Sequence, residues 1–125
     1  MKILIAEDDL LMVKMLEYRL KIDRHEVIVT RDGREALQKV DEFHPDLIIT
    51  DIMMPFTSGL ELVRSVKARY SSIPIIVLSG LGQEDVVIEA FELGADDYMT
   101  KPFSPNELTV RVRRFMNRAQ ARLAG

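Results

Sequence analysis

Apolar runs of four residues recur along the chain: Ile3–Ala6, Val27–Thr30, Leu47–Thr50, Ile75–Leu78 and, more weakly, Asp97–Thr100. Most are continuous rather than alternating. A strand with one wet face alternates apolar and polar residues, so continuous runs predict strands covered on both faces. Helical spacing fills the gaps between them. Val13, Leu16 and Leu20 form one stripe, and Leu37 and Val40 a second. Val63 and Val66 form a third, Val86, Val87 and Ala90 a fourth, and Leu108, Val112, Phe115 and Ala119 a fifth. Turn signals separate the units at Asp32-Gly33, His44-Pro45, Ser58-Gly59, Ile73-Pro74, Gly94 and Pro102. Asp9 is placed to cap the first helix and Ser104 the last, with Glu107 at capping-box spacing. The alternation predicts an α/β fold, a doubly wound sheet of five parallel strands with right-handed crossovers.

A chain of 125 residues with 47% hydrophobic content is expected to form one domain with a full core. Residues 1–120 carry the pattern. "NRAQARLAG" at the end loses clean apolar spacing, so 121–125 read as a helix end or the start of a linker. The absence of cysteine excludes disulfides, zinc thiolates and cysteine nucleophiles. No stretch approaches membrane-span length and the start lacks a signal-peptide pattern, which fits a cytoplasmic protein with no membrane partner. A net charge of −3 is a poor match for nucleic-acid phosphate, so DNA contact is expected only through a domain outside this chain.

Two of the apolar runs end on acids. "KILIAEDD" leads into Glu7, Asp8 and Asp9, and "DLIITDIMMP" stops on Asp51. In doubly wound sheets, ligands bind beyond the carboxyl ends of the strands, where strand order reverses. With order 2-1-3-4-5, strands one and three meet there, and Glu7, Asp8 and Asp51 converge. Clustered carboxylates repel unless a cation joins them. An oxygen-only donor set favours Mg²⁺ over zinc or copper. Helix capping explains Asp9, but not Asp51, whose next helix begins only near Ser58. Downstream, Ser79 follows "IIVL" and Lys101 follows "DDYMT", so both should reach the same rim. An acid, a hydroxyl and a lysine around magnesium describe a phosphoryl-transfer site.

At this point the chain resembles the receiver domains of two-component response regulators, with the flavodoxin-like (βα)5 architecture. The resemblance spans residues 2–120 through "LIAEDD", "DLIITDIMMPFTSGLEL", "IIVLSG" and "GADDYMTKPF", in order and at the family's spacing. It implies that Asp51 is the phosphoacceptor, attacking phosphohistidine on a sensor histidine kinase. It implies Asp8 as the direct Mg²⁺ ligand, Glu7 as its water-bridged partner and the Met53 main-chain carbonyl as a further ligand. Ser79 resembles the hydroxyl that turns toward the phosphoryl group, Lys101 its cationic partner and Tyr98 the aromatic switch. Gly80 keeps the approach open. Met53 and Leu81 match positions that tune dephosphorylation.

"GADDYMTKPFSPNEL" is most similar to receivers of winged-helix transcription factors. That implies a homodimer on phosphorylation, with Asp97 and Arg111 bridging the interface. Glu89 stands where the subfamily has a basic residue facing an acidic one, which Glu107 matches, so that contact is expected to be weakened or shifted. The alternatives are a stand-alone receiver that docks on a partner protein and a magnesium phosphohydrolase. The latter would want a second aspartate where Met53 stands, and the chain is read as a regulatory domain rather than an enzyme. His25 and His44 read as surface turn residues, and most methionines as gap-filling core. Phe56 reads as packing or as a contact for a kinase helix. Arg111, Arg113, Arg114, Arg118 and Arg122 read as a solvated or dimer-forming face.

Overall fold

The computed structural model describes residues 1–54 and 57–124, with side chains described as far as Met116. Five strands alternate with five helices. The strands are β1 (Lys2–Ala6), β2 (Glu26–Thr30), β3 (Leu47–Asp51), β4 (Ile75–Ser79) and β5 (Asp97–Thr100). The helices are α1 (Leu10–Ile22), α2 (Gly33–Phe43), α3 (Gly59–Arg69), α4 (Glu84–Glu92) and α5 (Pro105–Ala124). All strands pair in parallel, in the order β2-β1-β3-β4-β5.

Period-two alternation along each strand divides the core into two layers. On one side Leu4, Ile48, Ile75 and Val77 pack with Ala36 and Val40 of α2, Leu62, Val63 and Val66 of α3, and Val87 and Ala90 of α4. On the other, Ile3, Ile5, Leu47, Ile49, Ile76 and Leu78 pack with Leu16 and Leu20 of α1 and Leu108, Val112 and Phe115 of α5. Each large apolar side chain so buried contributes about 1.5–3 kcal/mol relative to exposure. The continuous runs are therefore covered on both faces. The two edge strands depart from this: β2 is mostly half-buried and β5 alternates buried with exposed. Strand order explains both, because each edge strand has a neighbour on one side only.

Helix starts follow the caps. Asp9 Oδ1 accepts from the Leu11 and Met12 N–H groups at 3.0 and 3.4 Å. Asp32, Ser58 and Ser104 accept likewise from Glu35, Glu61 and Glu107. The Glu107 carboxylate turns to Arg111 Nε at 3.3 Å, so its side chain serves an i,i+4 ion pair. Helix α4 alone lacks a side-chain cap at its N-terminus; Gln83 stands there with no such bond.

Polar staples join the layers at their edges. Arg19 of α1 donates to Thr109 Oγ1 at 2.8 Å and to Asn106 Oδ1 at 3.1 Å, and Thr109 donates on to Asp23 at 2.7 Å. These bonds fasten α5 to α1. Lys67 of α3 reaches Asp96 at 2.9 Å and the Ile73 carbonyl at 2.6 Å, holding the turns before β4 and β5 together.

Candidate functional site

The strand register sets the site. Ala6 pairs with Thr50, and Asp51 with Leu78, so the residues leaving β1, β3 and β4 emerge on one rim. One carboxylate oxygen from each of Glu7, Asp8 and Asp51 lies within 4.8 Å of the others. Glu7 is fully buried, Asp51 is 8% exposed and Asp8 is open to solvent. The cluster is therefore graded, with one acid inside, one at the threshold and one outside.

Glu7 is the most heavily engaged. Its Oε2 accepts from the N–H groups of Asp8 and Asp9 at 3.0 and 3.2 Å. Its Oε1 accepts from Lys101 Nζ at 2.6 Å. The same ammonium lies 3.4 Å from Asp51 Oδ2. Burial pushes the Glu7 carboxyl above the usual carboxylate range; the Lys101 bond opposes this and the Asp51 charge adds to it. Burial alone would lower Lys101, but its bond to Glu7 and the two carboxylate charges outweigh that and hold its pKa above the ordinary lysine value.

The donor set fits a hard divalent cation. All three side chains offer oxygen, and the cluster carries more negative charge than Lys101 cancels. Asp8 and Asp51 are the candidates for direct ligation. Both Glu7 oxygens are already occupied, which fits a ligand acting through water.

Backbone contacts hold Asp51 at the rim. The Ile52 N–H extends the ladder to the Leu78 carbonyl at 3.0 Å, and the Ile52 carbonyl then turns to the Gly59 N–H at 2.8 Å. Thr50 Oγ1 donates to the Asp51 carbonyl at 2.9 Å. Helix α3 thus starts directly against the β3 end. A Cβ on Gly59 would stand 2.3 Å from the Asp51 carbonyl oxygen and 2.7 Å from Ile52 Cα. Only glycine allows that approach.

Ser79 ends β4 and is 2% exposed; its carbonyl accepts from the Lys101 N–H at 2.7 Å. Beside it lies a cleft of about 400 Å³ walled by Ser79, Val87, Ile88, Phe91, Tyr98 and Thr100. Tyr98 is turned outward, 41% exposed, with its ring edge-on to Phe91 at a centroid distance of 5.9 Å.

Residues 3–113 match the family described as the response regulator receiver domain. The chain belongs to this family. Among curated relatives, the alkaline phosphatase synthesis transcriptional regulatory protein PhoP of Bacillus subtilis is 40% identical over 95% of this chain and 50% of its own length. The chain spans about half the length of the curated relatives it matches. Among solved structures, a response regulator receiver domain protein from Clostridium thermocellum superposes with a TM-score of 0.90 at 30% identity, covering 96% of this chain and 97% of that one. The receiver domain of a Francisella response regulator gives 0.87 at 34% identity, covering 94% and 98%.

The receiver domain thus gathers Glu7, Asp8, Asp51, Ser79 and Lys101 on one rim, with Tyr98 on the cleft beside it. Met53, two residues past Asp51 and read as a main-chain ligand and a tuning position, is 58% exposed. Met99 is the methionine buried in the core. On the α4–β5–α5 face, Asp97 accepts from Arg111 Nη1 through both oxygens at 3.0 Å, and Arg114 lies 3.4 Å away. The pair expected to bridge two copies is closed within one chain. His44 is exposed at the left-handed end of α2. His25 is half-buried, its Nδ1 3.1 Å from the chain's amino group. Among the described residues no helix is long and apolar enough to cross a membrane. Phe56 and the side chains of Arg118, Ala119 and Arg122 lie outside what is described, while α5 runs through residue 120 to Ala124, so the backbone continues as helix across the expected start of 121–125.

Sequence reasoning found the rim but missed Gln83, whose side-chain oxygen accepts from the Gly80 N–H at 2.5 Å. A glutamine before a helix carries no signal that would single it out.

Proposed function

We propose that this receiver domain is a phosphoacceptor switch. Asp51 attacks the phosphorus of a phosphohistidine on a sensor histidine kinase; the new O–P bond forms as the N–P bond breaks and the imidazole leaves with the electron pair. The observation that carries this is the position of Lys101 between Glu7 and Asp51, with Ser79 on the neighbouring strand end. An anion on Asp51 would draw Lys101 toward it and give the Ser79 hydroxyl an acceptor. Asp8, Asp51 and the Met53 carbonyl would hold Mg²⁺ directly, with Glu7 through water. Bound there, the ion would offset the negative charge of the acids and of the incoming phosphoryl oxygens.

The chain promotes only its own modification and is regulatory rather than an enzyme with a separate substrate. Its resemblance to a transcriptional regulator of twice its length supports an output domain that binds DNA, following a receiver of residues 1–120 and a junction at 121–125. A cytoplasmic setting follows from a kinase partner and a DNA-bound output. Incubation with acetyl phosphate and Mg²⁺ should add one phosphoryl group by intact mass. A chelator should prevent it. Labelling that persists without a divalent ion would remove the metal from the reading.

Phosphorylation is also proposed to pair two copies through the α4–β5–α5 face. Ile88, Phe91, Tyr98 and Val110 are exposed apolar residues on these elements, which supports the proposal. Arg111 would have to share or exchange its bonds to Asp97 for that pair to act between chains. It also engages Glu107, which lessens the repulsion expected between Glu89 and Glu107. Sedimentation with Mg²⁺ and beryllofluoride should show a dimer that Glu89→Lys tightens. A monomer at high micromolar concentration would favour the alternative, a stand-alone receiver that docks on another protein.

A further inference from the structure

Gln83 occupies a hydrogen-bond donor that the strand ladder aims at the rim. In a parallel pair the bonds are evenly spaced, each residue on one strand bridging two alternate residues on the other. The Ile48 N–H donates to the Pro74 carbonyl and the Ile52 N–H to the Leu78 carbonyl. The next rung would run from the Gly80 N–H to the Ile52 carbonyl. That carbonyl has turned to the Gly59 N–H at 2.8 Å. Gly80 is thus left with a donor directed at the gap between the β3 and β4 ends, one residue past Ser79 and beside Asp51. Gln83 fills the vacancy: its Oε1 accepts from the Gly80 N–H at 2.5 Å. Gln83 makes no bond to the first turn of its own helix, so its side chain is free to serve Gly80. Gly82, with φ +82°, lets the chain fold back far enough for the side chain to reach.

We propose that Gln83 is an internal stand-in for an anion oxygen. It holds the Gly80 amide in the resting state and must yield it when an anion is delivered to Asp51. This rests on the phosphoacceptor reading above. Two properties make the exchange workable. The Gln83 oxygen is neutral, and a charged oxygen on the same N–H makes a bond roughly twice as strong. The side chain is tethered only three residues away, so it returns when the anion leaves. Gln83 is therefore a positioning residue that sets how readily the β4–α4 loop accepts the modified state; it takes no part in bond making.

The test uses beryllofluoride with Mg²⁺ as the probe, and the Gly80 amide resonance as a readout independent of labelling rate. Gln83→Met keeps side-chain length and removes the acceptor. It should bind the probe about threefold to tenfold more tightly, the worth of one ordinary hydrogen bond that no longer has to be broken. Its Gly80 amide should lose hydrogen-exchange protection before the probe is added. Gln83→Glu keeps the acceptor and charges it, so it should bind the probe more weakly than the parent. Opposite shifts in the two variants support the proposal. Equal affinity in Gln83→Met and the parent, or weaker binding in both variants, overturns it. Failure of the parent to bind beryllofluoride at all would instead reject the phosphoacceptor reading.

Discussion

Asp51→Asn should abolish labelling by acetyl phosphate while making the metal-free domain more stable. The loss follows from chemistry: a carboxylate oxygen is a usable nucleophile toward phosphorus and an amide is not. The gain follows from charge. Asp51 sits within 4.8 Å of two other acids, and the one ammonium nearby is closer to Glu7, at 2.6 Å, than to Asp51, at 3.4 Å. Removing the Asp51 charge relieves two repulsions and forfeits one shared attraction, a net gain of about 1 kcal/mol at an effective dielectric near 20. Mg²⁺ reverses the comparison. It should raise the melting temperature of the parent by mass action and do so far less for the variant, which lacks a candidate ligand. Intact mass and thermal melting with and without Mg²⁺ check both halves. A single phosphoryl group still added to the variant would move the acceptor elsewhere.

Gly59→Ala should produce the larger structural damage. Its new methyl would meet the Asp51 carbonyl oxygen at 2.3 Å and the Ile52 Cα at 2.7 Å. Both are backbone atoms with no rotamer to yield. The contact can be relieved only by pushing α3 away from the β3 end or by bending the segment after Asp51. Overpacking of this kind costs about 1–3 kcal/mol and more where backbone must move. For a chain of this size, 3 kcal/mol lowers the melting temperature by roughly 10 °C. Labelling by acetyl phosphate should slow as well, because the Asp51 carbonyl and the carboxylate belong to the same displaced residue. An unchanged melting temperature with full labelling would mean that the approach of α3 does not set the site.

The rim was legible because the apolar runs end on it. Ile3–Ala6 and Leu47–Thr50 are unbroken until Glu7 and Asp51, so strand ends and acids could be placed together from spacing alone. The edge strands were less legible. Val27, Ile28 and Val29 are as apolar as the central strands yet half-buried, because burial there depends on which strand lies outermost. What the sequence does not carry is the choice of partner. Lys101 meets Glu7 across 94 residues, Arg111 folds onto its own Asp97, and the Glu107 carboxylate serves Arg111 while Ser104 caps the helix. Each side chain had two chemically equal options, and the fold geometry decided between them. Gln83 is the extreme case, since its partner is a backbone amide freed only because Ile52 turned its carbonyl to Gly59.

The fastening of α5 to α1 has a mechanical consequence. Arg19, Thr109, Asp23 and Asn106 tie the two helices on one face of the sheet, and Phe115 anchors the same face from within. Helix α4 has only nine residues, two of them buried, and no side-chain cap on its first turn. The α4–β5–α5 face is thus hinged unequally, with a fixed jamb in α5 and a light door in α4. A light door needs little work to move and stores little when it does. On the phosphoacceptor reading, a signal of a few hydrogen bonds at the rim would shift its balance of positions, whereas the same signal spent on α5 would be absorbed without result. On that reading, the sensitivity of the domain would be set by how lightly one helix is held.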